Sequence, residues 1–201
     1  MENMIRAGNK NEIHCQSGKW VIIDIGFANN ASSCGLLIDD QAPVEVKFYD
    51  ATSMICKYIS KQSQPINLII EAPLSVAFDK DGNPKGRSIE KHNGKIRYWY
   101  LCPGCTTMVA ALYLIRFIVQ SKPESEVRLF EGFVSFKDST KKSNHSKDVI
   151  MLREVVENPL MFSDSIISPA GLKMDESDIL QSAFLVAGID AGVPPVIMIY
   201  A

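Results

Sequence analysis

Three acids of this chain stand where an acid is costly. Asp24 is flanked by Ile23 and Ile25 inside the apolar run 20–25, and an ionised carboxylate buried there is expensive unless it is paired or bound to metal. Glu71 closes the apolar run 68–70, and Glu131 closes the run 127–130. If each run is a central strand, the three acids face the crevice beyond the strand ends, where open α/β sheets bind their ligands. A fourth acid is Asp175 or Asp178, which lie three apart and share a face in the first turn of a helix read over 175–191. Oxygen ligands around a hard cation that keeps several waters describe a magnesium or manganese site. Two such ions about 4 Å apart would activate a water and stabilise a leaving oxygen, which is the chemistry of phosphodiester hydrolysis. The plainer alternative is that an acid at a strand end is a turn residue, or that Asp175 caps its helix. Asp24 resists that alternative because of its apolar neighbours.

The elements that must position these acids can be read from periodicity. The run 20–25 is rich in Val and Ile and is closed by Gly26, which fits a strand buried on both faces. Runs 34–38 and 44–49 follow across turn-forming stretches, so three antiparallel strands joined by hairpins are expected. Helical spacing appears over 51–61 and is stopped by Pro65; a fourth strand over 68–70 follows. The polar stretch 79–95 reads as a long loop, and Pro103 opens an apolar helix to about Gln120. A fifth strand over 127–130, a Lys-rich loop over 137–147, helices over 147–157 and 175–191, and a short terminal strand over 196–200 complete the chain. Hairpins followed by strand-helix alternation predict an α/β fold, a mixed five-stranded sheet flanked by helices. The polar residues 1–18 read as a mobile or loosely docked arm, and 19–201 as one domain.

Composition narrows the function classes. The chain has 201 residues, enough for one domain to bury roughly 70% of its unfolded surface. A formal net charge of -2 argues against a protein that coats nucleic acid through its overall charge, so any such contact would come from a local patch. No apolar run reaches the roughly 18 residues needed to span a bilayer. Five cysteines at irregular spacing suit reduced thiols, and with a polar N-terminus they predict a cytoplasmic protein. Nothing in the composition argues against a homo-oligomer.

The order of acids and strands resembles the RNase-H-like superfamily, and within it a family of predicted RNase-H-like nucleases of uncharacterised function. The stretches that carry the resemblance are IIDIGFANNASSCGLLID around Asp24, LIIEAPLS around Glu71, VRLFEGFVSFK around Glu131 and DESDILQSAFLVAG around Asp178. The resemblance implies that Asp24, Glu71 and Asp178 are metal ligands for Mg2+ or Mn2+, with Asp175 the alternative on the late helix. It makes Glu131 a fourth ligand or a group just behind the ligands. Asn29, Asn30, Ser32 and Ser33 fill a turn that is often glycine-rich in the family. Lys141, Lys142, His145, Lys147 and Arg153 resemble the family's basic stretch and would contact a DNA or RNA backbone; a solvated loop is the plainer reading.

The expectation is therefore a metal-dependent nuclease. A catalytically silent module of the same kind, binding nucleic acid or a protein partner, is the alternative. A relative of the actin-like kinases is disfavoured because such kinases need two lobes. Cys102-Pro-Gly-Cys105 offers half a zinc site without its other half. Arg97, Tyr98, Trp99 and Tyr100 would stack on bases or pack in a core.

Overall fold

The computed structural model describes residues 4–26, 33–92, 94–96, 102–135 and 144–200. The aromatic group Arg97 to Tyr100, the first-motif residues Asn29, Asn30 and Ser32, and Lys141 and Lys142 lie outside the described residues. In chain order the elements are β1 (Ile5–Ala7), β2 (Lys19–Ile25), β3 (Cys34–Ile38), β4 (Val44–Val46), α1 (Phe48–Ile59), β5 (Ile66–Glu71), β6 (Ser75–Phe78) and β7 (Pro84–Lys85). They continue with β8 (Lys91–His92), β9 (Lys95–Ile96), α2 (Cys102–Gln120), β10 (Val127–Ser135), α3 (His145–Glu157), β11 (Ile166–Ile167), β12 (Ile179–Ser182) and β13 (Val196–Tyr200).

The protein is an α/β fold around a mixed sheet in the order β11-β13-β10-β5-β2-β3-β4, with β1 also paired to β10. Strands β2, β5, β10 and β13 run parallel, while β3, β4 and β11 run antiparallel to their neighbours. Side chains alternate across this sheet with period two. Val21, Ile23 and Ile25 of β2 and Leu68 and Ile70 of β5 join Ala51, Ile55 and Ile59 of α1 and Leu114, Ile115 and Ile118 of α2 on one face. Trp20 and Ile22 of β2 and Ile69 of β5 join Val149, Leu152, Val155 and Val156 of α3 on the other. Each aliphatic side chain so buried contributes about 1.5–3 kcal/mol, so the helices are held by their apolar stripes rather than by local propensity. No helix among the described residues is long and apolar enough to cross a membrane.

The structure corrects four expectations. The sheet has eight strands rather than five, because β1, β11 and β13 extend it past β10. The N-terminal arm is docked in its described part: β1 pairs with β10, Ile5 and Ile13 are buried, and Arg6 bridges Glu12 and Glu126 at 2.6 Å each. The stretch 79–95 contains β7, β8 and the start of β9 rather than loop alone. Finally, 175–191 is not an α-helix: β12 pairs antiparallel with β6, and a single 3-10 stretch, Ala183–Ala187, follows it. Its apolar residues Leu180, Ala183 and Phe184 satisfy a strand and a turn as well as a helix, and the partner strand decides.

Candidate metal centre

Asp24 is the penultimate residue of β2 and Glu71 the last of β5, and the two are directly paired in the parallel ladder. Counting by twos from Ile22 and Ile69 puts both side chains on the α3 face. On its other side Asp24 is paired with Gly35 of β3. A Cβ at Gly35 would collide with the His145 backbone, and one at Gly26 with the His145 ring. Those two glycines therefore let the first turn of α3 descend onto the sheet beside Asp24.

The result is a compact group at the C-terminal ends of the parallel strands. His145 Nδ1 lies 2.6 Å from Asp24 Oδ2. His145 and Asp148 are three apart and share a face of the first turn of α3. One ligand atom from each of Asp24, His145 and Asp148 lies within 4.8 Å of the others. Asp24 is 1% exposed and Asp148 4% exposed, while the His145 side chain is about a quarter exposed at 24%. Glu71 is half-buried, and its Oε1 accepts from the Val134 backbone N–H at 3.3 Å. Asn144 caps α3 by accepting from the Lys147 N–H at 3.2 Å. The positive end of the helix dipole thus points at the carboxylates and offsets part of their mutual repulsion.

The donors are carboxylate oxygens with one imidazole nitrogen. Carboxylates suit Mg2+ and Mn2+, and imidazole moves the preference toward a transition ion, so the set fits Mn2+ and accommodates Mg2+ through its carboxylates.

Of the acids singled out in the sequence, the structure brings Asp24 and Glu71 side by side and leaves the other three elsewhere. Glu131 is in the middle of β10, not at its end, because Phe133 and Val134 continue the strand to Ser135. It is paired with Ile70, so it projects to the face opposite Asp24 and Glu71. There it is fully buried and receives Arg87 through Nη1 and Nη2, each at 2.8 Å. Asp178 precedes β12 and is 2% exposed. It accepts from Lys85 Nζ at 2.7 Å and from the backbone N–H groups of Met174 and Asp175 at 2.9 Å. The bond from Lys85 holds the Asp178 carboxyl below the usual carboxylate range. Asp175 shares Lys85 at 2.8 Å and is otherwise exposed.

The basic group divides as well. Arg153 is tied to Glu157 at 2.8 Å and Asp40 at 3.1 Å, more than two turns along α3 from His145. Lys147 is exposed on the first turn. His145 lies in the acid cluster, with Nδ1 beside Asp24. Asp148 is the residue that sequence reasoning missed; the signal was a capping Asn followed by His-x-x-Asp, which puts both donors on one helical face. Comparisons with family models, with characterised proteins and with solved structures find no match to this chain.

Proposed function

We propose that the protein is a divalent-metal-dependent nuclease of the RNase-H-like kind, hydrolysing phosphodiester bonds of DNA or RNA. The observation that carries this reading is the convergence of Asp24, His145 and Asp148 within 4.8 Å beside Glu71. Support also comes from the element order: with β1 and the short strands β6–β9 set aside, three antiparallel strands, then helix, parallel strand, helix and parallel strand, is the order implied by the resemblance. Asp148 of α3 takes the place that the resemblance gave to Asp178 on a late helix.

Asp24, Glu71 and Asp148 would hold Mg2+ or Mn2+, with His145 as a nitrogen donor at the same place. When bound, such an ion neutralises charge on the scissile phosphate and lowers the pKa of a coordinated water. The chain's own residues orient the group. Asp24 Oδ2 fixes the His145 ring through Nδ1, leaving Nε2 as the nitrogen free to exchange a proton or meet an ion. The N-terminus of α3 favours an anion in front of it, and exposed Lys147 adds a phosphate contact at its edge.

The test is calorimetric titration of Mn2+ combined with cleavage of short labelled DNA and RNA. Asp24→Asn should keep the fold, since it relieves repulsion among clustered acids. It should lose at least about a hundredfold in Mn2+ affinity, more than the roughly 10–100-fold typical of losing a group behind the ligands. Cleavage should disappear with it. Wild-type affinity in this variant would remove Asp24 from any metal site. Nucleic-acid binding by the wild type without Mn2+ binding or cleavage would instead establish the silent module.

A further inference from the structure

We infer that the buried Glu131–Arg87 pair is a positioning element that fixes Glu71 in the metal centre. This rests on the proposed nuclease reading, because it assigns a role within that same site.

The geometry runs through the three residues that leave Glu71. As the last residue of β5, Glu71 is held on one side by its ladder pairing with Asp24. Beyond it the chain passes through Ala72 and Pro73 to Leu74, whose backbone N–H donates to Glu131 Oε2 at 2.8 Å. The same oxygen accepts from Arg87 Nη1 at 2.8 Å, and Oε1 accepts from Arg87 Nη2 at 2.8 Å. Arg87 Nη1 also donates to Ser75 Oγ at 2.8 Å, and Nε donates to Glu90 Oε1 at 2.9 Å. Glu131, Arg87, Leu74 and Ser75 are each 0% exposed, so no solvent competes for these bonds. Three residues further along β10, Val134 N–H donates to Glu71 Oε1. One strand therefore grips Glu71 twice, through its carboxylate on the α3 face and through the exit of its backbone on the other.

Fixing both ends of a short segment fixes the side chain it carries. A bidentate guanidinium leaves the Glu131 carboxylate one orientation, which in turn leaves the Leu74 N–H one place. Groups that orient metal ligands in this way typically alter affinity by roughly 10–100-fold when removed. Glu131 itself touches neither an ion nor a substrate in this scheme.

The experiment compares Glu131→Ala with Glu131→Gln in the full chain. Mn2+ affinity is read by calorimetry, kcat and KM on a short labelled DNA, and melting temperature in parallel. Glu131→Ala leaves the Leu74 N–H without its acceptor and should weaken Mn2+ binding about tenfold, lowering kcat with little change in KM. Glu131→Gln keeps a carbonyl oxygen for that N–H and should recover most of the affinity even though its melting temperature falls. Wild-type Mn2+ affinity in both variants overturns the inference, whatever their melting temperatures. If Glu131→Ala does not fold, Arg87→Lys takes its place: it keeps the charge, loses the two-pronged geometry, and must also weaken Mn2+ binding. Failure of the nuclease reading is recognised separately, by wild-type Mn2+ affinity in Asp24→Asn.

Discussion

Two groups of acids lie on opposite faces of one sheet and keep different company. On the α3 face, Asp24, Glu71 and Asp148 gather around a single imidazole. On the other face, Glu131 and Glu90 enclose the fully buried guanidinium of Arg87. The second group carries its own fixed cation, oriented by a bidentate fork, and serves as a joint between the central sheet and the segment 72–90. The first sets oxygen and nitrogen donors from a strand and a helix within 4.8 Å of one another, an arrangement that would accept a divalent ion. A buried carboxylate is thus not itself a sign of chemistry; what distinguishes the two is the group it faces, a two-pronged guanidinium in one case and further carboxylates with an imidazole in the other.

The largest expected effect breaks the self-sufficient group. Arg87→Met removes the guanidinium between two buried carboxylates, and breaking such a pair from one side costs about 3–5 kcal/mol. Urea unfolding measures this directly. A loss below about 1 kcal/mol, the scale of an exposed pair, would mean that the pair does not hold the joint and the contrast between the faces would lapse.

The next effect is a pH dependence on the same face. Glu90 shares the Arg87 guanidinium with Glu131. Burial pushes the Glu90 carboxyl up to about 7, against the pull of Arg87. A carboxyl raised in the folded state binds its proton more tightly there than in the unfolded chain. Its contribution to stability is therefore complete below the ordinary value near 4.5 and is lost as pH rises through about 7. The loss is of the order of 3 kcal/mol at most, taking 1.36 kcal/mol per pH unit. Glu90→Gln should remove that slope, so the difference in unfolding free energy between wild type and variant should change between pH 4.5 and 7. A constant difference across that window would show that Glu90 does not titrate in it.

How far the sequence reveals this contrast depends on which physical signal each residue sends. The runs that became β2, β5 and β13 are apolar enough to be recognised alone, and Asp24 stands out because its neighbours are Ile. Glu131 does not reveal its face, because four residues of strand before it look like a strand ending at an acid. Only Phe133 and Val134 beyond it, and the alternation they enforce, turn it away from Asp24. His145 and Asp148 are obscured by the Lys-rich sequence around them, although their i, i+3 spacing after Asn144 is a helix-face signal. Asp178 misleads for the opposite reason: its segment has helical spacing, but pairing of β12 with β6 overrides it, and no local pattern announces a strand 100 residues away. Arm residues 5–7 are too few to show a period, and their pairing depends on an edge that β10 offers only once folded.

The smallest expected effect is at Asp178, and it sharpens the contrast most. Asp178 is as buried as Asp24 and Asp148, yet its oxygens are taken by Lys85 and two backbone N–H groups. Its carboxyl is held low by that lysine, so the stability it contributes is present above the ordinary value of 3.8 and is lost as pH falls through the lowered one. Asp178→Asn should therefore lower the melting temperature at neutral pH, and that penalty should shrink on acidification. Mn2+ affinity and cleavage should not change, because a group with its own cation has nothing to offer an ion. Asp148→Asn should do the reverse to the ion: it should weaken Mn2+ binding severely, because it removes one of the donors that converge with Asp24 and His145. The two substitutions are the same in chemistry and differ only in the company the carboxylate keeps. Calorimetry and thermal melts of both variants across pH decide the matter. Loss of Mn2+ binding in Asp178→Asn, with Asp148→Asn unaffected, would move the metal centre to the Lys85 side of the molecule and reverse the assignment of the two acids.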